Sequence, residues 1–227
     1  QRQMCIRDSD FSKADVLNEA LNLARVEETN LPVPKVIEVM KLDGKWAIKS
    51  SYISGQTLQY LMDKHPEKRM EYLKLFVDLQ MKVHAKESPF LNNMKEKMNR
   101  RICDTELDAN TRYELHSRLD DMPRYKNLCH GDFKPSNIII TPDNKPYVID
   151  WAHATSGSAV ADAVCTYLLI LFRDRELARD YLELYCKTTN TNEQEIRKWI
   201  PIVAAAQSIK VKKDEREFLL GLVNISG

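Results

Sequence analysis

The chain has 227 residues, 43% of them apolar and 30% charged, with a formal net charge of +1. That is ordinary globular composition, enough for one large or two small domains, and it excludes a disordered chain or a nucleic-acid partner met by a strongly basic face. Cys5, Cys103, Cys129, Cys165 and Cys186 lack Cys-x-x-Cys spacing and no run reaches the roughly 18 apolar residues of a membrane span, so a reducing, cytoplasmic setting with no membrane partner is expected.

In chain order, residues 1–9 read as a non-native junction and are set aside from fold reasoning. Ser12 with Asp15 makes a capping box, and Leu17, Ala20, Leu21 and Ala24 form the apolar stripe of a helix. Glu19 lies off that stripe, while Glu27 and Glu28 read as solvated. The runs Val36 to Met40 and Trp46 to Ile53 flank Asp43-Gly44, a strong hairpin signal. Between residue 1 and Glu19 there is neither a glycine-rich strand pair nor a lysine in an apolar strand, and Lys13 is too close to Glu19 to substitute.

The remainder reads as mainly helical. Leu73, Phe76, Val77, Gln80 and Val83 follow a helix stripe that His84 nearly closes, so His84 is expected to pack against the core. Further helices are expected at 90–101, 109–120, 158–172, 175–187 and 193–209, the last interrupted or kinked near Pro201, which lacks a backbone donor. Lys95, Lys97, Arg100 and Arg101 alternate with Glu96 and polar residues, which predicts a solvated face.

Between Cys129 and Asp150 lies the segment that carries chemistry, CHGDFKPSNIIITPDNKPYVID. Asp132 and Asn137 are five residues apart, a spacing that lets a tight loop aim a carboxylate at a substrate hydroxyl while the amide reaches a magnesium ion. Ile138 to Ile140, the turn cluster Pro142 to Lys145, and Tyr147 to Ile149 predict a hairpin. It brings Asn137 beside Asp150, and hard oxygen donors of this kind suit Mg²⁺ completed by substrate phosphates.

This stretch resembles the catalytic core of the aminoglycoside phosphotransferase and choline kinase family, small-molecule relatives of protein kinases. The resemblance rests on His130-Gly131-Asp132, Asn137 and Ile149-Asp150-Trp151. It implies an α+β, protein-kinase-like two-lobed fold: residues 10–54 as an incomplete N-terminal β lobe, and 55–227 as a helical C-terminal lobe holding the catalytic loop. It further implies that Asp132 is the catalytic base, that Asn137 and Asp150 hold magnesium, that His130 braces the loop, and that Asp162 ties the loop to the following helix. Glu19 would pair with a strand lysine that fixes the nucleotide phosphates, and backbone groups near Ser51, Tyr52 and Ile53 would read adenine. Gly55-Gln56-Thr57-Leu58 resembles the family's entry to the helical lobe. Lys134 departs from the commonest family pattern and matches the protein-kinase lysine two residues after the base, where an ammonium neutralises charge on the phosphoryl group.

The expected function is transfer of the γ-phosphoryl group of ATP, with Mg²⁺, to a hydroxyl of a small molecule. Lacking the phosphate lid and its lysine, the chain is expected to be an N-terminally truncated and impaired form. The alternatives are a nucleotide-binding module without transfer activity and a protein kinase. Gly131 in place of the kinase arginine and the lack of an Ala-Pro-Glu triplet after Trp151 speak against the last. The acceptor is open: the acidic tract from Asp104 to Asp121 is interrupted by Arg112 and Arg118, and no set of aromatics stands out as a cage for a quaternary ammonium. The oligomeric state is open too.

Overall fold

The turn at Asp43-Gly44 organises the first part of the chain. Both residues have positive φ, 49° and 81°, and they join β2 (Val36–Leu42) to β3 (Lys45–Ser51) as an antiparallel hairpin. The computed structural model describes residues 2–6 and 12–223. Residues Arg2–Ile6, within the stretch set aside above, form β1, which pairs antiparallel with β3 in a sheet of order β1-β3-β2. The helix α1 (Lys13–Glu27) lies on this sheet. Ser12 accepts from Asp15 N at 3.2 Å and its own N donates to Asp15 Oδ2 at 3.0 Å, so the capping box is formed.

The buried face of α1 differs from the expected stripe. Val16, Ala20, Leu23 and Val26 are buried, whereas Leu17 and Leu21 are 43% and 48% exposed and Ala24 is also exposed. Two apolar stripes compete on this helix, and contact with Ile48 of β3 selects the one through Val16 and Ala20. Glu27 is not a free surface carboxylate: its Oε1 accepts the backbone N–H of Val36 at 2.6 Å, tying the end of α1 to the start of β2.

From β3 the chain passes through Gly55 to β4 (Gln56–Thr57) and α2 (Leu58–Lys64), with Thr57 capping α2 by accepting from Tyr60 N. There follow α3 (Arg69–His84), α4 (Met94–Cys103), α5 (Ala109–Asp121) and β5 (Asn127–Cys129). The hairpin of the motif is β6 (Ile138–Ile140) with β7 (Pro146–Val148), and Asn144 in its turn has φ 59°. After β8 (Thr155–Gly157) come α6 (Ala159–Leu171), α7 (Arg175–Thr189), α8 (Glu193–Ser208) and α9 (Lys213–Val223). Helix α8 runs unbroken through Pro201. Helix α9 and strands β5 and β8 have no counterpart in the sequence reading; the strands are three residues each, too short for a periodic signal.

Two apolar cores hold the helical part together. Phe76, Phe133, Tyr181 and Trp151 centre the first, and Trp199, Ile202, Ile102 and Leu119 centre the second. Trp151, Tyr181, Tyr185 and Trp199 are each at most 2% exposed, so these aromatics are core and do not form a cage. Among the described residues no helix is long and apolar enough to cross a membrane.

The sheet of order β4-β6-β7 hooks the connecting segment onto the catalytic hairpin. Gly55 packs so tightly there that a Cβ would collide with the Ile140 carbonyl oxygen and lie 2.8 Å from Ile139 Cγ2. Gly55→Ala should therefore destabilise the protein by roughly 1–3 kcal/mol, the usual cost of overpacking. Urea denaturation measures it, and a change below about 0.5 kcal/mol, the ordinary surface level, would contradict this close approach.

Candidate active site

A 3-10 turn at Pro135–Asn137 joins the loop after β5 to β6, and it folds Asn137 back onto Asp132. The Asn137 Nδ2 donates to Asp132 O and to Asp132 Oδ2, both at 2.9 Å. Lys134 Nζ donates to the same carboxylate, at 2.7 Å to Oδ2 and 3.0 Å to Oδ1. Asp132, Lys134 and Asn137 thus form one cluster. Ile149 N donates to Asn137 O at 2.9 Å, continuing the β6–β7 register. Asp150 follows at that end of the hairpin, in a left-handed conformation with φ 66°, a costly backbone state for a residue with a side chain.

The loop is held from behind by buried polar groups. His130 is fully buried; its Nε2 donates to Ile149 O at 3.0 Å and its Nδ1 accepts from Asp132 N at 3.2 Å. That pair of bonds requires a neutral ring, and burial lowers the His130 pKa in the same sense. Asp162, 1% exposed in the first turn of α6, accepts from Gly131 N at 2.7 Å and His130 N at 3.1 Å. Its Oδ2 also meets His84 Nε2 at 3.0 Å. Burial raises the pKa of this carboxyl, but the His84 bond and charge, with His130 and the Gly131 N–H, hold it below the ordinary value. Gly131 has φ 77°, and a Cβ there would sit 2.7 Å from His153 O, so only glycine fits.

The nucleotide-side residues are placed less closely. Glu19 is half-buried on α1. Ser51 ends β3, and its N–H and hydroxyl both engage Lys35, as donor to O at 2.8 Å and acceptor from N at 2.9 Å. Tyr52 and Ile53 follow it on the way to Gly55.

Three features escaped the sequence reading. Asn22 is buried in α1, and its Nδ2 donates to Ala152 O at 3.3 Å and Trp151 O at 3.4 Å, linking α1 to the turn after Asp150. A mid-helix asparagine carries no signal of this. His84 does pack inside, but as the hydrogen-bond partner of Asp162. The basic stretch of α4 is not a solvated face: Lys95 Nζ donates to Met122 O at 2.8 Å, and Lys97 Nζ to His153 O at 2.9 Å. Arg101 is half-buried with Lys97 against the cavity behind Gly131, while Arg100 remains exposed. A larger cavity of about 320 Å³ lies beside Lys134, Ser136, Asp63 and Arg173.

Residues 1–199 match the family described as "Phosphotransferase enzyme family". The chain belongs to the phosphotransferase enzyme family. Its fold is that of the kinase-like members of known structure, mixed α+β with small sheets and a mainly helical body. An aminoglycoside-3'-phosphotransferase of type VIII is 16% identical with a TM-score of 0.64, covering 90% of this chain and 84% of that one. A thermostable aminoglycoside phosphotransferase APH(4)-Ia, in ternary complex with ADP and hygromycin B, is 14% identical with a TM-score of 0.67, covering 90% and 81%. The choline kinase LicA from Streptococcus pneumoniae is 17% identical with a TM-score of 0.63, covering 98% and 84%. No curated protein sequence matched.

Two predictions concern the buried supports of this phosphotransferase loop. Asp162→Ala, which strands His84 and two backbone donors, should cost roughly 3–5 kcal/mol; a loss under about 1 kcal/mol by chemical denaturation would remove Asp162 from this role. His153 is brought down to about 3, by burial first and then by Lys97, Lys210 and Arg101. An unfolded histidine takes up its proton near pH 6.5, so stability falls as pH drops from about 6.5 toward 3. His153→Asn should flatten that part of the stability profile, and an unchanged slope would contradict the assignment.

Proposed function

We propose that the chain catalyses transfer of the γ-phosphoryl group of ATP to a hydroxyl of a small molecule, with Mg²⁺ as cofactor and Asp132 as general base. The observation that carries this reading is the Asp132 carboxylate fixed by Lys134 and Asn137 at the end of the hairpin that presents Asp150. Membership of the phosphotransferase family and the nucleotide complexes of structural relatives support it.

In the reaction, the acceptor oxygen bonds to the γ-phosphorus as the bond from that phosphorus to the β–γ bridging oxygen breaks. Asp132 accepts the hydroxyl proton, and ADP carries away the electron pair. Lys134 lies against Asp132 and supplies positive charge beside the transferred group. His130 and Asp162 act through the backbone, by keeping Asp132 at a fixed place and orientation.

The donor set fits magnesium. The Asn137 nitrogen is committed to Asp132, which leaves its amide oxygen as the outward group, and Asp150 adds a carboxylate from the adjoining strand end. Among the described residues no group of three or more His, Cys, Asp or Glu could hold a metal alone, which suits an ion that takes its remaining oxygens from phosphates and water. Asn137 and Asp150 are the residues that would hold it, and the bound ion would neutralise phosphate charge. Tyr52 and Ile53 are the better candidates for backbone contact with adenine, because the Ser51 N–H is used by Lys35. Glu19 is proposed on the phosphate side of the nucleotide.

Asp132→Asn should lower turnover by about 10²–10⁴-fold, in an assay of ADP release, while nucleotide affinity stays near wild type. Asp150→Ala should weaken nucleotide binding in the presence of Mg²⁺ and leave metal-free binding unchanged. Unaltered turnover in Asp132→Asn would favour a nucleotide-binding module over an enzyme.

A further inference from the structure

Two basic side chains line the cavity behind Gly131 and a third acts on them from nearby, and among the described residues none of the three has a carboxylate at ion-pair distance. Lys97 and Arg101 are four apart on α4, so they share a face, and they line a cavity together with Gly131, His153 and Gln207. Lys97 is anchored by its bond to His153 O. Lys210, between α8 and α9, is close enough to act on both the Lys97 ammonium and the His153 ring. The nearby acids are committed elsewhere. Asp162 serves His84 and the loop backbone, and Asp15 serves the cap of α1 while its charge reaches Lys210.

This arrangement costs free energy in the free protein. Burial, with Arg101 and Lys210 adding repulsion, brings the Lys97 ammonium down to about 7, and burial also lowers the Arg101 pKa. Perturbed titratable groups lining a cavity are candidates for a functional site, and here an anion would supply the missing counter-charge. The Cys165 thiol on the same wall does not supply it, since burial raises its pKa strongly. The cavity has about 30 Å³, and one water needs about 10–15 Å³. It has room for the small head group of a ligand whose remainder lies outside it. A polycation or a quaternary ammonium would be repelled.

We propose that this niche receives the anionic head group, carboxylate or phosphate, of the acceptor alcohol. The inference rests on the phosphotransferase reading above and names its substrate class. Gly131 precedes Asp132 directly, and the Asp132 charge acts on the Cys165 thiol that lines the niche, so an anion seated against Lys97 and Arg101 lies close enough to Asp132 for one small molecule to reach both. The Arg101 guanidinium offers paired donors that match two oxygens of either anion.

The test uses the full chain with ATP, Mg²⁺ and four acceptor panels: hydroxy acids such as glycerate, phosphorylated alcohols such as glycerol 3-phosphate, their neutral parents, and cationic acceptors including choline and an aminoglycoside. ADP release is expected with the first or second panel only, and which of the two distinguishes carboxylate from phosphate. Lys97→Met and Arg101→Met should each raise the acceptor KM about 10- to 100-fold, the range for a lost charged hydrogen bond, with the KM for ATP unchanged and Arg101→Lys partly restored. Turnover of cationic or neutral acceptors in preference to anions overturns the niche and leaves the phosphotransferase reading standing. If no panel is turned over, calorimetric titration with glycerate and glycerol 3-phosphate decides. Binding lost in both Met variants keeps the niche while the activity reading fails; absent binding, or binding indifferent to the variants, overturns it.

Discussion

A single buried carboxylate organises the candidate site. Asp162 sits in the first turn of α6 and collects the N–H groups of His130 and Gly131, while His84 of α3 pairs with the same oxygen that receives His130 N. Removing a carboxylate from water is costly unless it is hydrogen-bonded, and here both oxygens are engaged, by three groups whose positions matter. The carboxylate thereby fixes the backbone just before Asp132 relative to two helices. His130 extends the restraint to Ile149, next to Asp150. Both ends of the motif are therefore referred to one buried charge.

The hairpin supplies the other half of the geometry. Ile138 pairs with Val148, and both are fully buried, so apolar packing sets a register that carries Asn137 and Ile149 into contact. Polar chemistry is then confined to the hairpin's end, where Asp132, Lys134 and Asn137 share hydrogen bonds. Asn22 adds a link from α1 to the turn after Asp150. A helix that rests on the first sheet is thus linked to the segment that carries a proposed metal ligand.

Electrostatics divides the space around the loop into unlike sides. Toward Lys134 the larger cavity is lined by both signs of charge, with Asp63 and Arg173 among them. Behind Gly131 the wall is basic, and burial first, then Lys97, Lys210 and Arg101, keep the His153 ring neutral. Phosphotransferases of similar fold are named for aminoglycosides and for choline, which are cations. The wall behind Gly131 carries the same sign of charge as those cations and would repel them, and a shared fold does not by itself fix the acceptor.

Local pattern determined a good deal by itself. Asp43-Gly44 has a backbone preference that specifies a hairpin turn, Ser12 and Asp15 specify a helix start, and the residues from Asp132 to Asp150 specify a loop in which Asp132 meets Asn137, followed by a hairpin that ends at Asp150. Each is set by interactions within a few residues, which is why each was legible. Tertiary contact decided what local pattern left degenerate. Val16 rather than Leu17 faces inward because Ile48 lies on that side; Glu27 is engaged because Val36 N needs an acceptor; and Lys97 with Arg101 turns toward Gly131 although their neighbours in sequence suggest a solvated helix face. Charges separated by more than a hundred residues, Lys97 and Lys210, repel one another only after the chain has folded. Coulombic interaction depends on distance in space, and no periodicity along the chain records it.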